Sequence, residues 1–557
     1  MPARNWGWKA ILLLGAVWWS GNILHGQTRV ELPTVAEASG FRRTATGMEV
    51  ERFLREIASA TDEATLLSLG TTVEGRKIWA LDVAATGHQT GDAGTLTVLL
   101  LGGIHAGECD GKEALLALAR DITLVEKSVW RQSLRLIFVP NFNADGNERR
   151  SRHHRPGQSG PSEGMGVRHN AQRLDLNRDF IKLESPEVRA LVGAINRFDV
   201  DVLIDLHTTN GSLHQYDLTY AIPHHPAANR TLTDWARQEL MPSVSATLSR
   251  QGFTTFFYGN FDAAHTRWQT FGHEPRYSTE YMGLRGKLGI LVESYSYKSY
   301  RRRIEASYAF VRTTLAALHA HATQLRENFQ HERSVPRAGS TLATRARLAL
   351  TSPSITIAGF KTPAGELVSP PYDASALQAN VPTTFTVSWW GHAEPTMETD
   401  IPVAYAIDPD GAWAVQRLML HGIQVHRLSV AGALKARQLR VTRMTRESEK
   451  RFGHHRLLVD VEEEPHESLV AAGSFVVATD QPLGKLAAYL LEPSSEDGLT
   501  AWNFFDPHIV SGQLHPVQRV VSGLPETGLS LVEVLSAHRD VNSGQALSSN
   551  ASDRVRG

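Results

Sequence analysis

The sequence predicts an α/β fold, a mainly parallel or mixed sheet flanked by helices, followed by a β-rich C-terminal region. Three observations carry this. Four apolar runs, Leu96 to Leu101, Leu134 to Val139, Val202 to Leu206 and Leu288 to Val292, have the length and bulk of buried strands. Stretches of helical period lie between and around them. After about residue 330 that alternation gives way to short β-prone stretches separated by turn signals.

The helical stretches are Val50 to Ala60, Gly111 to Ile122, Ser185 to Phe198, Thr231 to Arg250 and Ser307 to Arg326. Each repeats apolar residues at three- and four-residue spacing, which places them on one face. Gln330 to Gly339 is polar and contains Pro336, as a linker would. Beyond it Ile355 to Ala358, Thr383 to Trp390, Val425 to Val430, Leu457 to Val461 and Ser474 to Ala478 read as strands, with Trp389 and Trp390 as core residues. A chain of 557 residues exceeds what one ordinary core organises. The expected division is an α/β domain over 28–330, a β-rich domain over 340–540 and a disordered, Ser/Asp/Asn-rich tail over 541–557.

Residues 1–27 read as a secretory leader: Arg4 and Lys9 precede the apolar stretch Ala10 to Trp19, which is short of the ~20 residues a spanning helix needs. The protein is therefore expected to be exported, to the periplasm or beyond, with no stable membrane insertion apart from the leader; an uncleaved anchor is the alternative. Cys109 is the single cysteine, so no intrachain disulfide forms, and it reads as a small buried apolar residue rather than a nucleophile. The net charge of -1 argues against a nucleic-acid binder, and the basic cluster Arg149 to Arg155 reads as a solvated loop.

In open α/β sheets ligands bind beyond the carboxyl ends of the strands. The first apolar run leads into His105-Ala106-Gly107-Glu108, the third ends in Asp205-Leu206-His207, and the fourth ends in Glu293. His105 and Glu108 are within reach of one ion, and His207 completes a His, Glu, His set. Hydrolytic zinc takes three such protein ligands and leaves its fourth position to water.

HAGE, then Leu174 to Phe180 (LDLNRDF), then His207, then Glu293 is an order that resembles the zinc carboxypeptidase family, whose type member is carboxypeptidase A. The likeness covers about Ser68 to Val311 and points to a bacterial branch with a C-terminal extension. It implies one zinc ion per chain on His105, Glu108 and His207, and Asp175 holding a ligand imidazole, that of His105. It further implies Asn177 and Arg178 binding the terminal carboxylate of a peptide, and Glu293 as general base and then acid. For the arginine that stabilises the oxyanion the expectation is Arg155; for a substrate-binding tyrosine, Tyr277 or Tyr281. The implied activity is hydrolysis of the C-terminal peptide bond of peptides with a free carboxylate. The alternatives are a zinc amidohydrolase or deacylase acting on acyl-amino acids or cell-wall peptides, and an inactive carboxylate-binding pseudoenzyme.

Overall fold

The structure, a computed structural model, describes residues 32–84, 95–126, 129–332, 338–431, 434–522 and 529–531. The expected leader (1–27), the expected tail (541–557) and residues 333–337 of the expected linker lie outside them.

The four apolar runs form the centre of an eight-stranded mixed sheet among the described residues, in the order β1-β2-β4-β3-β5-β10-β6-β7. Its strands are β1 (Ala64–Thr71), β2 (Lys77–Val83), β3 (Leu96–Gly102), β4 (Leu134–Val139), β5 (Val202–Thr209), β6 (Leu218–Ala221), β7 (Thr255–Phe257) and β10 (Leu288–Tyr295). Between β6 and β10 the short strands β8 (Asn260–Phe261) and β9 (Arg267–Gln269) form a hairpin. The central strands β4, β3, β5 and β10 run parallel. Every residue of β3 and β5 is buried, as expected of parallel strands covered on both faces.

The covering helices follow their sequence signals. Gly47–Ser59 starts on a reciprocal Thr46/Glu49 capping box. Pro186–Phe198 has the Ser185 hydroxyl as N-cap and ends on Asp199 in the left-handed region. The expected helix Thr231 to Arg250 is instead Arg230–Trp235 and Met241–Arg250, joined through a π-turn over Ala236–Leu240. Pro242 has no N–H to give the preceding turn, and the wider turn relieves that conflict.

The β-rich region contains β11 (Thr341–Ala349), β12 (Ser352–Lys361), β13 (Val381–Trp390) and β14 (His392–Asp400). They are followed by β15 (Ala404–Ile407), β16 (His426–Leu428), β17 (Lys435–Arg446), β18 (Leu457–Leu469), β19 (Phe475–Ala478), β20 (Val517–Val520) and β21 (Leu529–Leu531). The last seven form one sheet. β17 was hidden from period-two reading because its pairing with β18 shifts register at Arg437/Leu439 and again at Val441/Arg443, and each shift breaks the alternation.

Main chain from both sides of the expected boundary pairs in one sheet: β13 lies parallel to β9, with Trp389 opposite Trp268. One hydrophobic core runs from Leu99, Ile137 and Leu203 through Tyr281 to Tyr405, Leu486 and Trp502. The described residues from Pro33 onward form a single compact unit. Among the described residues no helix is long and apolar enough to cross a membrane.

Candidate active site

β3, β5 and β10 are neighbours in the sheet, so the residues at their carboxyl ends converge. His105 and Glu108 follow β3, while His207 on β5 stands opposite Glu293 on β10 in the parallel register. A tight turn makes the His105–Glu108 pair. Gly107 lies there because a Cβ would meet the Arg155 side chain at 2.7 Å and the Gly166 carbonyl at 2.8 Å.

The two imidazoles are arranged alike. His105 turns Nδ1 toward Glu108 Oε1 (3.1 Å) and Nε2 toward Asp175 Oδ1 (3.0 Å). His207 turns Nδ1 toward Glu108 Oε2 (3.0 Å) and Nε2 toward Asp205 Oδ2 (3.0 Å). The two Nδ1 atoms are 3.2 Å apart. Among the described residues this is the one group of three whose ligand atoms lie within 4.8 Å of one another. Zinc bonds of about 2.1 Å at tetrahedral angles hold ligand atoms about 3.4 Å apart, so the spacing suits that ion. An aspartate behind each imidazole fixes the tautomer that leaves Nδ1 free to ligate.

The charges are set for a cation. Burial alone raises the Glu108 carboxyl, but His105 and Arg155 outweigh it and hold the group well below the usual range. Burial likewise opposes ionisation of Asp175, and His105, Arg178 and Arg168 hold it far below its ordinary value. Glu293 goes the other way: burial and the nearby Glu108 charge, against the pull of His207, push it up to about 8. Its Oε2 is buried with no hydrogen-bond partner.

The expected carboxylate-binding pair lies beside this group. Asn177 accepts Ser278 N–H at 2.9 Å and sets Nδ2 3.3 Å from His207 Nε2. The Arg178 guanidinium lies 4.2 Å from the centre of the Tyr277 ring and 5.7 Å from that of Phe452, with Nη1 donating to the Asn177 carbonyl. Of the two tyrosines, Tyr277 is therefore at the site. Tyr281 is not: it is fully buried and its hydroxyl bonds His421 Nδ1 at 2.8 Å, because the helix Ser278–Leu284 turns that face into the core shared with the C-terminal region.

Arg155 does reach the group, its three guanidinium nitrogens bonded to Gln158 Oε1, Glu108 Oε1 and the Thr208 carbonyl. It holds Glu108 in place. Arg168, not singled out from the sequence, clasps Asp175 with Nε and Nη2 and leaves Nη1 3.3 Å from His105 Nδ1. Its place shortly before Asp175 was a usable signal. Asp205 was also passed over, although it precedes His207 by two residues and so shares its strand face. Tyr258 is a third addition: burial and the neighbouring Glu293 charge push its hydroxyl up to about 12. Burial raises the Cys109 thiol, as suits a packing residue.

Residues 50–274 match the family model described as zinc carboxypeptidase, a stretch that ends before Glu293. Over 506 residues the chain is 23% identical to carboxypeptidase 2 of Trichophyton rubrum, covering 85% of this chain and 86% of that protein. It is 33% identical over 186 residues to human carboxypeptidase D, covering 27% of this chain and 13% of that one. A crystal structure of a metallo-carboxypeptidase from Burkholderia cenocepacia superposes with a TM-score of 0.38 at 18% identity, over 50% of this chain and 70% of that one.

Proposed function

The chain belongs to the zinc carboxypeptidase family and is a metallocarboxypeptidase, and from that premise we propose how its own residues divide the work. His105, Glu108 and His207 would hold one zinc ion, and the substrate is a peptide with a free C-terminal carboxylate. The observation that carries this is the convergence of two Nδ1 atoms on one ionised carboxylate, with an aspartate behind each imidazole. When bound, the ion supplies Lewis acidity and lowers the pKa of water.

Arg178 offers a planar edge to the terminal carboxylate, its faces flanked by Tyr277 and Phe452, and Asn177 adds an amide beside it. Glu293 accepts the proton of the attacking water at its unpartnered Oε2 and returns it to the leaving amine. A carboxyl whose proton affinity is raised toward neutrality is suited to both tasks. Arg155 and Arg168, each with Nη1 at the metal group, are the donors offered to the developing oxyanion, and Arg155 also positions Glu108. The leader pattern of residues 1–27 supports export.

The test is metal content together with hydrolysis of matched peptides ending in a free or an amidated carboxyl. One zinc per chain and release of the last residue from free peptides alone is the expected result. Bound zinc with equal hydrolysis of both series would remove the role given to Asn177 and Arg178.

A further inference from the structure

A cavity of about 700 Å³ opens next to the metal group. Arg155, which bonds Glu108, lines its inner end, and so does Asn210, three residues beyond His207. Asn177, Arg178 and Tyr277 are not among its lining residues. A peptide held by its carboxylate at Arg178, with its last bond at the metal group, has this cavity open to its preceding residues.

The outer wall comes from the other half of the chain. The loop 368–372, between β12 and β13, lines the cavity together with Tyr297 and Phe261. It is fixed there: Val368 and Tyr372 pack against a buried cluster of Leu213, Tyr295, Tyr297 and Phe360, and Gln215 Nε2 donates to the Gly359 and Thr383 carbonyls of the same hairpin. The Tyr297 and Tyr372 rings meet edge to face at 6.3 Å. Phe261, Tyr297, Val368, Pro371 and Tyr372 make the lining largely apolar, and Asn210, Ser212 and Asn260 give it a polar edge. The Asp262 carboxylate is already taken by Thr266 and the Arg267 amide.

We propose that this cavity binds the second and third residues before the scissile bond, that it selects for a bulky apolar side chain there, and that the C-terminal β region, through loop 368–372, is thereby part of the substrate site. This rests on the carboxypeptidase reading above. Cavities of this volume with an apolar lining and a few polar groups suit side chains of that class.

The test compares kcat/KM for blocked peptides that share their last two residues and carry either Gly or Phe at the second and third positions before the scissile bond. The wild-type preference for Phe is expected to be about tenfold, the scale of discrimination a hydrophobic pocket provides. In Tyr372→Ala, which opens the wall, and in Ser369→Trp, which fills the space from an exposed position, that preference should fall to about unity. Thermal melts of both variants check that they fold, and Ser369→Trp breaks no native hydrogen bond in doing so. No preference in the wild type, or a preference intact in both variants, overturns the proposal. A blocked dipeptide, too short to enter the cavity, reports on the carboxypeptidase reading alone: if zinc-dependent release from it is absent, that reading has failed instead.

Discussion

At the metal end of the cleft the side chains come from the N-terminal half alone: His105 and Glu108 after β3, His207 on β5 and Glu293 on β10, with Asp175, on the turn before Leu176–Arg178, and Asp205, on β5, behind the imidazoles. Around Arg178 and along the upstream cavity the walls are mixed. Tyr277 and Tyr297 belong to the catalytic half, whereas Phe452, held at φ 50 between β17 and β18, and loop 368–372 reach in from the C-terminal half. The difference separates two tasks. Chemistry needs atoms fixed within tenths of an ångström, which adjacent strand ends in a buried sheet provide. The fit of a substrate can be assembled later from loops of another region.

The sharpest way to break that division is Glu293→Gln. Proton transfer by a placed carboxylate contributes about 10²–10⁴-fold, so kcat should fall by that order while zinc content stays at the wild-type level. A variant that keeps its kcat would move the base elsewhere. Next comes Asp205→Ala, which removes the acceptor behind His207 Nε2. Partners of this kind are worth about 10–100-fold in metal affinity, measurable by chelator competition. Unchanged affinity would mean that the imidazole is oriented without it.

Arg178→Lys tests the other end. Losing a planar, charge-assisted contact worth about 1.5–3 kcal/mol should lower kcat/KM on free peptides by about 10–100-fold, mostly through KM, and leave amidated peptides unaffected.

Stability should respond to acid through three buried histidines. His421 is buried, with Nδ1 accepting the Tyr281 hydroxyl and Nε2 donating to the Ile181 carbonyl, and burial lowers it to about 3. Burial takes His515 to about 3 as well, and likewise His214, helped by Lys298. A depressed histidine binds its proton only in the unfolded chain between these values, so its contribution is complete above pH ~6.5 and is lost as pH falls toward 3. Each group should cost about 1.4 kcal/mol per pH unit within that window, and denaturant unfolding at pH 7 and 5 would read the sum. A flat profile would show these imidazoles accessible to protons in the folded state.

The smallest effect is expected for Phe452→Ala. A half-exposed cation–π contact is worth about 0.5–1 kcal/mol, so KM should rise by about two- to fivefold with kcat unchanged and with rescue by Phe452→Tyr. No shift in KM would leave the C-terminal region a wall on the upstream side alone.

The amino-acid order was enough to locate the four central strands, the His105–Glu108 pair and the strand-end His207 and Glu293, because periodicity and spacing along one strand or turn are local properties of the chain. Arg168 and Asp205 carried local signals too, in their spacing from Asp175 and His207. What folding alone decided were the relations between distant segments. Tyr281 and Tyr277 are four residues apart on equivalent chemistry, yet one faces a core that includes His421 and the other faces Arg178, and only the packing of the C-terminal region distinguishes them. Arg155 reaches the metal group from a loop, bonded to Glu108, Gln158 and the Thr208 carbonyl, segments far apart in the chain. Phe452 and Tyr372 lie more than seventy residues from any catalytic side chain in sequence, and no periodicity encodes which cleft a loop at that distance will close.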